Sequence, residues 1–179
     1  MPVLCGLMAF ALSSGAARAA QGGAASPELR VAYTVWGIIS YTQWPEAKAT
    51  LRVCLPGGDN RYVSFIRKSA DKVNLGRKIV VRTTPADPTG TCDVVYFPAM
   101  SIGEAGHALR PLGGAPVLTI GEGGTFCSAG GMFCLMLGDG GEAENAGRFA
   151  ANLDATSRSP LRIDPQVLRL SKHNAGGKK

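Results

Sequence analysis

The cysteines are the feature that most constrains how this chain can fold. The sequence contains five of them, and Cys54, Cys92, Cys127 and Cys134 all follow an N-terminal segment with the features of an export signal. An even set of cysteines behind such a signal is typical of proteins that form disulfides in an oxidising compartment. We therefore expect an exported protein whose fold is held by two disulfides.

The expected export signal occupies residues 1–19. An apolar run at 3–12 is followed by small residues, and Ala17 and Ala19 form the A-x-A pattern that signal peptidase cleaves. Cys5 lies within this signal and would be removed with it. The run is shorter than the ~20 apolar residues that span a bilayer, and no second run of that length follows. We expect the mature chain not to span a membrane.

The basic composition does not by itself indicate binding to nucleic acid. The formal net charge is +6, but the arginines are scattered along the chain. Aromatic residues do not alternate with them, as they do on surfaces that stack bases. Export would also separate the protein from nucleic acid, so we expect a solvated basic surface and no nucleic-acid partner.

The hydrophobic pattern predicts an α/β protein. Ser26 is a suitable helix N-cap, with Pro27 and Glu28 in the first turn of a helix of about four turns that Trp44-Pro45 would end. Strands are predicted at four apolar segments, 51–55, 78–82, 92–97 and 116–120, with helices between them at 59–73 and 101–112. This alternation favours a three-layer sandwich with a mixed, partly parallel sheet flanked by helices. One domain at 20–172 and a polar tail at 173–179 are expected.

The second pair of cysteines lies in a segment with its own symmetry. Residues 127–134 read almost the same in both directions about two central glycines, which favours a hairpin with a two-residue turn. That hairpin would place Cys127 opposite Cys134, within disulfide range. Four cysteines permit three connectivities. The hairpin, and the ends of neighbouring strands at Cys54 and Cys92, favour the pairs Cys54–Cys92 and Cys127–Cys134.

The sequence lacks the common patterns of catalytic sites. It contains no Cys-x-x-Cys and no Gly-x-Ser-x-Gly motif, and its two histidines, His107 and His173, are far apart. Residues 121–124 follow a strand but have neither dinucleotide spacing nor a Walker lysine. We expect no enzymatic activity, no cofactor and no metal.

The strand expected at 132–137 is apolar on both faces. Such a strand is commonly buried between two layers of structure. Alternatively, part of one face is exposed, and Phe133 is then the candidate contact for a protein partner, because exposed apolar patches mark interfaces. The sequence is compatible with both the buried and the partly exposed strand.

The order of these segments resembles the YfiR family of exported proteins, over about residues 30–172. The resemblance rests on an ordered set of segments: Trp44-Pro45 after the first helix, the segments at 51–55, 76–82, 92–97 and 116–120, the Gly130-Gly131-Met132 turn, and the ending at 152–170. This sequence departs from the family at Phe133-Cys134-Leu135, where a more polar strand is usual.

The resemblance implies a periplasmic α/β protein, commonly a homodimer, that represses an inner-membrane diguanylate cyclase by binding its periplasmic sensor domain. Release of such a repressor raises cyclic di-GMP and promotes biofilm formation, and the redox state of the disulfides affects folding and repression. A periplasmic small-molecule binding module, with a pocket at the carboxyl ends of the parallel strands, is the alternative.

Overall fold

Helices on both faces of a sheet form the three layers of this protein. The computed structural model describes residues 25–56, 60–83, 90–137 and 145–173. The expected signal at 1–19 and nearly all of the tail at 173–179 lie outside these ranges. In the described ranges the strands are β1 Thr42–Gln43, β2 Thr50–Leu55, β3 Lys78–Thr83, β4 Val94–Phe97, β5 Leu118–Glu122, β6 Phe133–Leu135, β7 Phe149–Ala151 and β8 Arg162–Ile163. The α-helices are α1 Pro27–Ser40, α2 Arg61–Ser69, α3 Ile102–Leu109, α4 Gly124–Ser128, α5 Leu153–Ser157 and α6 Val167–His173.

Six strands form the main sheet, in the order β3-β2-β4-β5-β6-β7. Strands β2 to β6 run parallel to their neighbours, and β7 is antiparallel to β6. The mixed, partly parallel sheet flanked by helices is therefore confirmed. Because the chain moves outward from β2 in one direction and from β4 in the other, the strand order reverses between these two neighbours. A small antiparallel pair, β1 with β8, lies apart from the main sheet.

Helix α1 begins as its sequence predicts. The Ser26 hydroxyl accepts a hydrogen bond from the N–H of Leu29, and proline occupies the first turn. The helix ends at Ser40, before Trp44-Pro45, because the chain enters β1 at Thr42. The Thr42 hydroxyl donates to the carbonyl oxygen of Ile38 at 2.9 Å, which fixes this early exit.

One face of the sheet, here called the α1–α2 face, is covered by α1, α2 and α6. Its core is the larger of the two in the described chain and contains Val35, Trp36, Ile38, Ile39, Val63, Ile66, Leu51, Val53, Tyr96, Leu118 and Ile120. The Trp36 indole N–H donates to the Ser69 hydroxyl at 2.8 Å, so its polar atom is satisfied within the core. This face is stabilised chiefly by apolar burial.

The opposite face, here called the disulfide face, is covered by α3 and α4. Its smaller core contains Val95, Phe97, Ala105, Leu109, Leu112, Val117 and Phe126 together with Cys54, Cys92 and Cys134. Strand β4 contributes side chains to both cores, because its side chains alternate between the two faces of the sheet. Val94 and Tyr96 lie on the α1–α2 face, and Val95 and Phe97 lie on the disulfide face. All four side chains are buried.

The predicted hairpin at residues 127–134 is wrong. Residues 124–128 form helix α4, and β6 pairs in parallel with β5 rather than with its own preceding segment. The N–H of Gly130 bonds to the carbonyl of Cys127 at 3.0 Å, and that of Gly131 to the carbonyl of Phe126 at 2.9 Å. With Gly130 at φ +104°, this is the Schellman pattern that ends a helix. The two glycines thus close α4 instead of making a hairpin turn.

Candidate regulatory site on the disulfide face

The first disulfide joins strand β2 to the segment that leads into its parallel neighbour β4. Cys54 lies in β2 and Cys92 lies two residues before β4, with their Cα atoms 5.9 Å apart. Both residues are buried, with exposed fractions of 1% and 2%. This pair, one of the two predicted, closes a loop that contains α2 and β3.

The second disulfide joins a helix to the sheet. Cys127 in α4 is bonded to Cys134 in β6, and the Cα atoms are 5.7 Å apart. Cys134 is fully buried, whereas Cys127 is half-buried. The Asn152 side-chain amide also donates to the Cys127 carbonyl at 2.9 Å. The predicted pair is therefore present, although a helix and a strand, rather than a hairpin, bring its members together.

A phenylalanine and two glycines shape the region between the disulfides. The Phe126 ring is 1% exposed and lies 5.3 Å from the ring of Phe97, centroid to centroid. A methyl group added at Gly121 or Gly131 would come within 2.4 or 2.1 Å of that ring, so no larger residue fits at either position without a shift. Phe126 thereby anchors α4 directly on the sheet.

Phe133, the predicted partner contact, is not available on the surface. Its side chain is fully buried in the core of the α1–α2 face, and its ring lies edge-on to Phe149, at 5.7 Å. The structure agrees with the other interpretation, a strand buried between two layers. A partner that binds this fold must contact other residues.

A charge cluster stabilises the start of β4, next to Cys92. The Asp93 carboxylate accepts hydrogen bonds from the Arg52 guanidinium at 3.0 and 3.1 Å and from the Arg52 backbone N–H at 2.8 Å. The Lys48 ammonium lies 3.0 Å from the same carboxylate, whose side chain is 2% exposed. Burial raises the pKa of Asp93, but the bonds from Arg52 and Lys48 more than offset it, so the pKa lies below its usual value.

A second buried carboxylate lies at the carboxyl edge of the parallel strands. Glu122 is 7% exposed and accepts hydrogen bonds from the Tyr96 hydroxyl at 2.7 Å, the Asn60 side-chain amide at 3.2 Å and the Ala99 N–H at 3.2 Å. Asn60 also caps α2, accepting from the N–H of Val63 at 2.8 Å. The cluster joins the loops that follow β2, β4 and β5.

The environment of Tyr96 makes its hydroxyl a permanent donor. Burial, and the charge of the neighbouring Glu122 carboxylate, raise the pKa of Tyr96 well above its usual value. The hydroxyl therefore stays protonated and bonded to Glu122. Both oxygens of Glu122 have partners within the protein, so the cluster connects loops and does not present a free acid or base.

Neither Asp93 nor Glu122 stands out in the sequence as a site residue. The signal for Asp93 was an acid at the start of an otherwise apolar strand, since a charge in such a position is rarely buried without a partner. Glu122 was considered only as part of a glycine-rich loop. Its partners Asn60 and Tyr96 are 62 and 26 residues away, so no local pattern joins them.

Neither a metal cluster nor a membrane-spanning helix is found among the described residues. No three histidine, cysteine, aspartate or glutamate side chains in this part of the chain are grouped so that they could hold a metal ion. The longest described helix, α1, has 14 residues, and no described helix combines the length and apolar character required to cross a membrane.

The family model described as YfiR/HmsC-like matches residues 28–172. This range includes every described strand and nearly all of the described helical residues, and the chain belongs to this family. The family is regulatory rather than catalytic, and it fits a periplasmic regulator of a diguanylate cyclase. The two disulfides fit an oxidising compartment.

Proposed function

We propose that this member of the YfiR/HmsC-like family is a periplasmic repressor of an inner-membrane diguanylate cyclase. It binds the periplasmic sensor domain of the cyclase, as a homodimer, and lowers cyclic di-GMP and biofilm formation. The observation that carries the proposal is the family match over residues 28–172. The two disulfides support it, because they suit a protein that works outside the cytoplasm.

The mechanism is inhibition by binding, not by chemistry. An effector shifts an equilibrium only as far as it binds one state more tightly than the other. The repressor therefore holds the cyclase inactive by binding the inactive arrangement of the sensor domain more tightly than the active one. The cyclase is active once the repressor is released.

The disulfide face supplies a means of release. Helices α3 and α4 pack on a small core, and the Cys127–Cys134 disulfide links α4 to strand β6. Cys127 is half-buried, so this bond is the more accessible of the two. Its reduction loosens α4 while β2 and β4 stay joined through Cys54–Cys92. Repression is then weakened without complete unfolding.

The test is intracellular cyclic di-GMP in the host with and without this gene. We expect a rise on deletion that the wild-type gene reverses and that the Cys127→Ser/Cys134→Ser variant reverses less completely at equal protein level. A matched variant, Asp154→Asn, removes an exposed ion pair with Arg158 and should repress normally. Unchanged cyclic di-GMP on deletion, with the protein expressed and a cyclase partner present, contradicts the proposal.

A small-molecule binding module is the second candidate. It is favoured by the strand order, which reverses between β2 and β4, because ligands of such sheets bind at the carboxyl edge where the order reverses. Against it, Glu122 lies at that edge with both of its oxygens bonded internally. A metabolite that raises the melting temperature of the wild type, together with unchanged cyclic di-GMP on deletion of the gene, would support this candidate over the repressor.

A further inference from the structure

The two edges of the six-stranded sheet differ in how their backbone groups are satisfied. At the β7 edge, the Ser171 hydroxyl of α6 accepts from the N–H of Phe149 at 3.3 Å and donates to its carbonyl at 3.0 Å. At the opposite edge, β3 pairs with β2 through six positions. No other described strand, and no described side chain, bonds to its outer side. At one edge the outward groups of Phe149 are thus bonded, whereas no bond to the outer side of β3 is found among the described residues, and β3 is here called the open edge.

Backbone alternation identifies the open groups of β3. The N–H of Lys78 donates to the carbonyl of Ala49 at 3.0 Å, on the β2 side. Every second residue of β3 turns the same way, so the N–H and C=O groups of Ile79, Val81 and Thr83 point outward. Such a row of unpaired groups is a template for another extended chain.

The side chains of β3 differ between its two faces. Ile79 and Val81 are half-buried and pack against the core of the α1–α2 face. Lys78 and Arg82 are exposed and, by alternation, lie on the other face. No ion pair joins either of them to another described residue. A chain added at this edge would meet apolar side chains on one face and two positive charges on the other.

A second copy of the same chain is a poor occupant of this edge. Antiparallel pairing of two β3 strands about Val80 would place Lys78 of each copy opposite Arg82 of the other. Like charges directly opposite each other destabilise a strand pair. Acidic side chains at those positions would instead pair with both cations.

We propose that the open edge of β3 binds an extended segment of a partner protein in which apolar and acidic side chains alternate. The backbone of this segment forms hydrogen bonds with the N–H and C=O groups of Ile79, Val81 and Thr83, in the mode known as β-strand addition. Its apolar side chains extend the strip formed by Ile79 and Val81, and its carboxylates meet Lys78 and Arg82. This inference goes beyond the repressor proposal and holds whether or not the partner is a cyclase.

The probe is a short synthetic peptide of alternating valine and glutamate, titrated into the disulfide-bonded protein. We expect saturable binding, with slower amide exchange at Ile79, Val81 and Thr83. Val81→Pro removes an outward N–H without removing a bond to β2, and should abolish binding while the fold is retained. Lys78→Glu/Arg82→Glu should weaken binding by about tenfold or more, and it tests the proposal even if the proline variant fails to fold.

Two matched controls separate strand addition from simple charge attraction. Arg110→Glu/Arg169→Glu makes the same change in net charge at exposed positions outside β3, and should bind the peptide normally. A peptide with N-methylated backbone amides keeps its charge but cannot complete the pairing, and should not bind. Equal binding of the methylated peptide, an equal loss in the control variant, or dimerisation of the protein through β3 in sedimentation experiments would overturn the proposal.

Discussion

The two faces of the sheet are stabilised in different ways. On the α1–α2 face, large side chains such as Trp36, Ile38 and Ile66 form the larger core without a cross-link. On the disulfide face, α3 and the five-residue helix α4 cover a smaller core that contains three of the four bonded cysteines. Where few apolar side chains are available, covalent links supply stability that burial does not.

The difference indicates which part of the molecule opens first. Segments with few buried apolar contacts unfold locally at lower free energy than the main core. The disulfides counter this tendency on their own face, because they limit how far the unfolded chain can spread. Reduction should therefore affect the disulfide face before the α1–α2 face.

The largest expected effect comes from the first disulfide. Replacing both of its members, Cys54→Ser with Cys92→Ser, should lower the free energy of unfolding by ~4 kcal/mol, from the chain entropy of a 38-residue separation. Urea denaturation of wild type and variant, both under oxidising conditions, measures the change. A loss below that of the shorter disulfide would mean that loop length does not govern the contribution.

The second disulfide should contribute less. Removing it with Cys127→Ser and Cys134→Ser should cost ~2.5 kcal/mol, because its members are separated by only 7 residues. The same urea experiment applies, and proteolysis within α4 should become faster than in the wild type. Unchanged proteolysis would show that Phe126 and the sheet hold α4 without the covalent link.

Two glycines, one on each face, test how rigid the packing is. Gly131→Ala should destabilise the protein by about 1–3 kcal/mol, because the added methyl group meets the Phe126 ring. Gly37→Ala, in α1, meets only a terminal methyl group of Leu170, and alanine favours the helix, so we expect little change. Thermal melting of the two variants side by side measures the difference. Equal melting temperatures would indicate that Phe126 is free to move aside.

The smallest effect is the pH dependence due to Asp93. Its pKa is lowered in the folded protein, so its contribution to stability is complete above the unfolded value of ~3.9 and is lost as the pH falls through the folded value. Asp93→Asn should therefore lower stability at neutral pH and lessen the further loss between neutral and strongly acidic pH. Asp154→Asn, which removes an exposed ion pair, is the matched control, because such pairs contribute little to stability. Urea midpoints across the pH range give both profiles.

The strands β2, β3, β4 and β5 could be predicted from the sequence, because each is a short apolar run bounded by turn residues. The end of α4 could not. Two adjacent glycines suit both a hairpin turn and a helix terminus, and the choice depends on the Phe126 ring packing against Gly121 and Gly131. The cysteine pairs were predicted correctly even so, since both local structures place Cys127 near Cys134. The Asp93 and Glu122 clusters depend on tertiary contacts that no local pattern reveals.

The comparison of the two faces is tested most directly by amide hydrogen exchange of the whole protein, read by mass spectrometry with and without reductant. We predict that reduction speeds exchange first in α3, α4 and the adjoining β6, while peptides from α1 and α2 stay protected. An equal loss of protection on both faces, or an earlier loss in α1 and α2, would contradict the claim that the disulfide face depends on its cross-links.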